Sequence, residues 1–310
     1  MPRFPRLITR IEGELIRAYG FAAPPSTTVT PEPVAAFPVP EGIEVESPTV
    51  APDLSRAAYA ASGAVVCVDR EGRTLWRLDG VGDRVPESGL AATSCVFSLD
   101  GTVVWIYTVD GVALWIAVAA DTGTVVDRAV LDGAGAGGRQ FVHPDGVHVL
   151  LGVAEEQSTL RVHRARLERR TIELTTYPWD DRRLVDLSPA GDFLMTIHHD
   201  QRDVAFHSYP EGEVVIRVPA ASFGYDDNTY PAFIIDGGYL DSDTAIVTLA
   251  GDLDETLEWE LSHYVDVRTG RNGEMVEREP GPYRDGTLVP LGDGTWLSID
   301  IDHRFRRNVR

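Results

Sequence analysis

The chain has 310 residues, 43% of them hydrophobic, and a formal charge of −20. So acidic a balance excludes a nucleic-acid-binding face and docking on an anionic membrane, both of which need clustered basic side chains, and leaves basic peptides, cations and neutral ligands open. All 28 basic residues are Arg, which excludes Schiff-base chemistry, a Walker A lysine and a Ser-Lys dyad.

Taken in chain order, the first segment, MPRFPRLITRIEGEL, has no continuous apolar run, so no signal peptide is expected there, and no stretch is long enough to span a membrane. Leu7, Ile8, Ile11, Leu15, Ile16 and Tyr19 fall near helical spacing and predict a helix that stops at Gly20. A Pro-rich passage follows, with Pro24, Pro25, Pro31, Pro33, Pro38 and Pro40, and is expected to be an extended connector. Residues 1–45 are thus set apart as a helix and linker, and 46–310 as the main domain.

From Ile43 onward the pattern is β: short runs rich in Val, Ile, Thr and aromatics, bounded by Gly, Asp and Pro. They divide into six units, at 46–80, 90–132, 138–177, 183–219, 232–278 and 286–310. One phrase recurs inside them. Ser98-Leu99-Asp100-Gly101 precedes TVVWIYTV, His143-Pro144-Asp145-Gly146 precedes VHVLLGVA, Ser188-Pro189-Ala190-Gly191 precedes DFLMTI, and Gly292-Asp293-Gly294 precedes TWLSIDI. A repeat of roughly 44 residues suits a four-stranded propeller blade, so the expected fold is all-β, a six-bladed β-propeller, or a seven-bladed one if residues 1–45 build more than one strand. The last unit is short by a strand, and closure is expected to borrow one from the N-terminal segment, because an open edge is a liability.

At these phrases, and at Arg70-Glu71-Gly72-Arg73-Thr74-Leu75-Trp76, the chain resembles β-propellers of the broad WD40-like and quinoprotein-like group over about 46–310. It looks similar to uncharacterised actinobacterial propeller proteins, in agreement with its lack of lysine. The Gly-His pair of WD40 blades is missing, Trp105 and Trp115 are not followed by Asp, and no characterised subfamily is singled out.

Cys67 and Cys95 each sit in an apolar run, which is no disulfide framework; a reducing cytoplasmic setting is expected. Asp132 to Gly138 contains a literal G-x-G-x-x-G, but the following RQFVHPDGVHV is β-like, whereas a dinucleotide fingerprint needs a helix there. His198, His199 and Asp200, with His207 close behind, are the densest group of metal-capable residues and fit a single divalent ion. Within a strand, His198 and His199 are expected on opposite faces, with His207 pairing across from one of them. No nucleophile elbow occurs.

The loops between blades, and those between second and third strands, are expected on one face. They carry Tyr177, Trp179, Asp180 and Asp181; then Tyr225, Asp226, Asp227, Asn228 and Tyr230; then Tyr283; and the acidic hairpin 251–255. Aromatics interleaved with carboxylates suit a cationic side chain, by cation–π contact and ion pairing, and also a sugar. The C-terminal Arg304, Arg306, Arg307 and Arg310 are expected to neutralise nearby carboxylates. The leading expectation is a non-catalytic binding or scaffold propeller that presents this face to a protein or basic peptide and needs no cofactor. The alternatives are a metal-dependent hydrolase or lyase at the channel mouth, using the histidine group, and a carbohydrate-binding propeller using Trp179, Tyr225 and Tyr230.

Overall fold

The structure, a computed structural model, describes residues 6–61, 63–81, 93–132, 135–155, 160–179, 181–225, 232–254, 257–276, 288–299 and 304–310. The described strands form seven antiparallel sheets, each a meander of consecutive strands. The first holds β1 (Arg6–Glu12), β2 (Leu15–Phe21) and β3 (Ala35–Pro38); the second holds β4 (Glu46–Val50), β5 (Arg56–Ala61), β6 (Ala64–Asp69) and β7 (Thr74–Asp79). The third comprises β8 (Thr93–Phe97), β9 (Val103–Asp110), β10 (Val112–Ala119) and β11 (Val125–Leu131), and the fourth β12 (Gly135–Val142), β13 (His148–Glu155), β14 (Leu160–Glu168) and β15 (Thr171–Thr176). The fifth comprises β16 (Arg182–Leu187), β17 (Phe193–His198), β18 (Asp203–Ser208) and β19 (Val214–Pro219). A 3-10 turn at Ala220–Phe223 leads to the sixth, β20 (Phe233–Tyr239), β21 (Thr244–Asp254), β22 (Leu257–Asp266) and β23 (Asn272–Met275), and the last holds β24 (Val289–Pro290), β25 (Thr295–Ile299) and β26 (Phe305–Val309).

These are seven blades, which corrects the expectation of six. The N-terminal helix is also corrected: β1 and β2 form a hairpin with Ile8 opposite Tyr19 and Ile11 opposite Ile16. Gly13 takes a φ of 59° in the two-residue turn between Glu12 and Leu15, a left-handed geometry that suits a hairpin and breaks a helix. Among the described residues there is no α-helix, and hence none long and apolar enough to cross a membrane. The glycine-rich 135–138 stretch opens β12, with a register shift against β13, and is strand rather than the helix start of a dinucleotide fold.

The chain divides into two compact units, one of Met1–Ala22 with Glu32–Asp181, the other of Ala23–Pro31 with Arg182–Arg310. In the first, successive sheets share apolar cores. Ile16 and Phe37 pack with Tyr59 and Val66, Val65 and Trp76 with Ile106 and Ile116, and Trp115 with Leu151 and Ile172. In the second, Met195 and Phe206 pack with Tyr239 and Val247, and Ile246 and Tyr264 with Trp296. In the second sheet, the inner strands β5 and β6 are buried on both faces and are therefore almost wholly apolar, whereas its fourth strand, β7, is largely exposed.

The recurring phrase is the turn between first and second strands. In the first three copies the closing glycine is left-handed (Gly101, Gly146 and Gly191, φ 71–81°), and its N–H donates to the carbonyl three residues back, at 2.9–3.1 Å, whereas Gly294 of the fourth donates to the Leu240 carbonyl at 2.7 Å. Ser98 and Ser188 also accept the N–H of Val103 and Phe193 through their hydroxyls, both at 3.0 Å.

Candidate functional site

The fifth sheet concentrates the titratable groups singled out in the sequence. Arg182 and His198 are direct cross-strand partners on β16 and β17. Thr196 shares their face by the two-residue period of a strand, as do Asp203 and His207 on β18. Arg182 is buried and donates from Nε to Thr196 Oγ1 at 2.6 Å and from Nη2 to Asp203 Oδ1 at 2.5 Å. His207, wholly buried, lies opposite Leu194 and bonds Thr196 Oγ1 at 2.8 Å and the Gly212 carbonyl at 3.1 Å. Burial pushes its pKa down to about 4, so the ring is neutral at neutral pH. The expected pairing of His207 with His198 or His199 is therefore not formed: His207 belongs to a buried network deeper in the hairpin.

His198 is the last residue of β17, and the chain turns directly after it, with Gln201 left-handed at φ 60°. The two-face rule of a strand stops applying at that point, and the His198 and His199 rings stack, centroids 4.6 Å apart. One ligand atom each from His198, His199 and Asp200 lie within 4.8 Å of one another. His198 is buried and its Nδ1 accepts the Asp200 N–H at 3.0 Å; His199 Nε2 lies 2.8 Å from Asp200 Oδ1. Arg202 completes the turn, with Nη2 2.7 Å from Asp200 Oδ2 and 3.1 Å from His198 Nε2. The turn is anchored at both sides: Ala220 N–H donates to the Arg202 carbonyl at 2.8 Å, and Ile234 N–H to the Gln201 carbonyl at 2.7 Å.

The loop that begins with Ala220 carries the second feature. Tyr225 bonds His263 Nε2 through its hydroxyl at 2.9 Å and packs on Trp259 of β22 with centroids 4.9 Å apart and planes at 44°. Phe223 sits 5.5 Å from the His263 ring. Burial lowers the pKa of His263, opposed by a hydrogen bond to the Gly273 backbone. Trp259 lies over Gly251, opposite it in the ladder, where an added Cβ would meet the indole at 2.7 Å. Glycine is thus required there for the ring to lie flat. Trp259 and His263 were not among the sequence candidates, although the alternation Trp259, Leu261, His263 is a visible period-two signal. Arg182 was missed too, and no local signal marks it; Arg202 lies within the histidine-rich segment 196–203 that the sequence singles out, but was given no role there.

In the other unit, Trp179 stacks flat on the buried Tyr177, centroids 4.5 Å apart and planes at 6°, and Asp181 bridges to Leu160. The remaining loop candidates, Asp180, Asp226, Asp227, Asn228, Tyr230 and Tyr283, lie outside the described residues.

Seven small meander sheets define a β-propeller fold, and no characterised subfamily is identified. No protein-family model and no curated protein matches the sequence. Solved structures do. The Cps50 (Swd1) β-propeller domain of Myceliophteria thermophila superposes with a TM-score of 0.58 at 10% identity, over 97% of this chain and 98% of that one. The hydrazine synthase of Kuenenia stuttgartiensis gives 0.56 at 16% identity, over 84% and 76%. The Dos1 propeller gives 0.55 at 11% identity, over 87% and 73%. At such identities the likeness is one of fold alone.

Proposed function

We propose that the protein is a non-catalytic binding propeller whose loops receive a protein or peptide partner through its basic side chains. The observation that carries this reading is the Tyr225–Trp259 pair, held in orientation by His263 and by Gly251 beneath the indole. Such a rigid aromatic platform suits a guanidinium or ammonium group. The hairpin that bears Trp259 is acidic in sequence, with Asp252 and Glu258 in register next to the Gly251–Trp259 pair. Loops on a rigid β scaffold are where binding residues concentrate. Structural neighbours that are propeller domains agree with such a module.

The test is binding of Arg-containing and of Glu-containing peptides to the immobilised full chain, at low and at high salt. Capture of the Arg peptides, weakened by salt and at least tenfold by Trp259→Ala, supports the reading. Equal binding of both peptide classes, or no effect of Trp259→Ala in a variant with an unchanged melting curve, refutes it. The flat Trp179–Tyr177 stack gives the sugar reading a definite residue: binding of oligosaccharides that tolerates salt and is lost with Trp179→Ala would replace the peptide reading.

A further inference from the structure

The β17–β18 turn holds a group that the partner-binding reading does not use. His198, His199 and Asp200 bring one imidazole nitrogen, a second imidazole nitrogen and one carboxylate oxygen within 4.8 Å of one another. Two imidazoles and a carboxylate are the donor set of first-row divalent ions. The same turn supplies its own cation. Arg202 Nη2 lies within hydrogen-bonding distance of both Asp200 Oδ2 (2.7 Å) and His198 Nε2 (3.1 Å), while its Nε is 3.4 Å from His198 Nδ1. A positive group that touches two donors of a three-donor set stands where a metal ion would stand.

From this geometry we infer that the turn is a transition-metal site closed by its own arginine: a divalent ion such as Zn²⁺ binds to His198, His199 and Asp200 in exchange for Arg202. The exchange is sterically simple, because the Arg202 side chain is 63% exposed and has solvent to swing into. His199 and Asp200 are exposed as well, so the ion has access. The contacts of Arg202 with Asp200 and with His198 must be given up in the exchange, and the affinity of the natural chain is correspondingly modest. His207 takes no part, since both its ring nitrogens are engaged in the buried network. Water completes the coordination of the ion.

The experiment is a calorimetric titration of Zn²⁺ alone into the metal-stripped full chain, its Arg202→Ala variant and the double variant Arg202→Ala, His199→Ala. Arg202 and His199 side chains are at the surface, and a melting curve on each protein controls for folding. The inference predicts one ion per chain, at least tenfold tighter binding in Arg202→Ala than in the natural protein, and at least a tenfold loss on adding His199→Ala. It is overturned if Arg202→Ala binds no stoichiometric ion, binds no more tightly than the natural chain, or keeps its affinity when His199 is removed. Failure here would leave the aromatic platform untouched, since no residue is shared between the two sites.

Discussion

At the scale of single residues, the buried histidines set the response to acid. His207 is held at a pKa of about 4 by burial, and His163, bonded to Thr176 at 2.9 Å, is lowered to about 4 by burial and by nearby Arg161. In the unfolded chain both take protons near their ordinary pKa of about 6.5. Their contribution is therefore complete above about pH 6.5 and is lost as the pH falls towards 4, at roughly 2 kcal/mol each by pH 5. Urea unfolding at pH 7 and pH 5 measures this. His207→Gln, which keeps a side-chain amide for Thr196, is expected to shrink the drop in stability by roughly the share of one histidine. An unchanged drop would contradict it. Residue types alone showed that histidines and aspartates cluster at 198–207. That His207 faces Thr196 and Gly212, while His198 faces Arg202, follows from which way each side chain leaves a strand whose end point only the fold fixes.

At the scale of elements, the last sheet shows how sequence-distant pieces become one unit. β26 meets the N-terminal segment through two backbone hydrogen bonds between Val29 and Arg307, at 2.8 and 3.0 Å. The buried Arg307 side chain adds a bond to the Ala23 carbonyl at 2.8 Å, another to Thr295 Oγ1 at 2.9 Å, and a short ion pair with Asp293. The C-terminal arginines were expected to neutralise carboxylates, and Arg307 is paired with one. Arg307→Ala breaks all of these side-chain contacts and leaves Asp293 without its guanidinium, at a cost of about 3 kcal/mol. A thermal melt checks this, as does proteolysis within residues 23–31, which should become faster; a melt within experimental error of the natural protein would refute it. The hairpin of β1 and β2 teaches a related lesson. Its apolar residues fit a helical spacing and equally a β ladder, in which Ile8 meets Tyr19 and Ile11 meets Ile16. Over so short a stretch the two periods overlap, and Gly13 and the following blade decide between them.

At the scale of the whole molecule, residues 1–45 supply the three-stranded first sheet and also the segment 23–31. Ile16, Ala18 and Phe37 are fully buried in a core shared with Val50, Tyr59 and Val66 of the second blade. Deleting residues 1–45 uncovers that core and removes Val29 and the Ala23 carbonyl, two of the partners of Arg307. The expected outcome is a sharply lower melting temperature together with binding of a hydrophobic dye. An unchanged melting curve would contradict the seven-blade architecture. The strong net charge acts at this scale too, as a negative field that extends beyond the surface and weakens with salt.

The sequence by itself determined what local patterning controls. The turn phrases ending in Gly101, Gly146 and Gly191 and the apolar runs between them place six of the seven sheets within a few residues, because strand period and turn geometry are set by neighbours in the chain. Tertiary structure alone decided the blade count, the pairing of Val29 with Arg307, the assembly of Tyr225 with Trp259 and His263, and the seating of Arg202 on His198 and Asp200. Each of these depends on strand register or on a turn's exact end, where a shift of one residue sends every side chain to the opposite face, and register is fixed by packing between distant segments rather than by the residues within one.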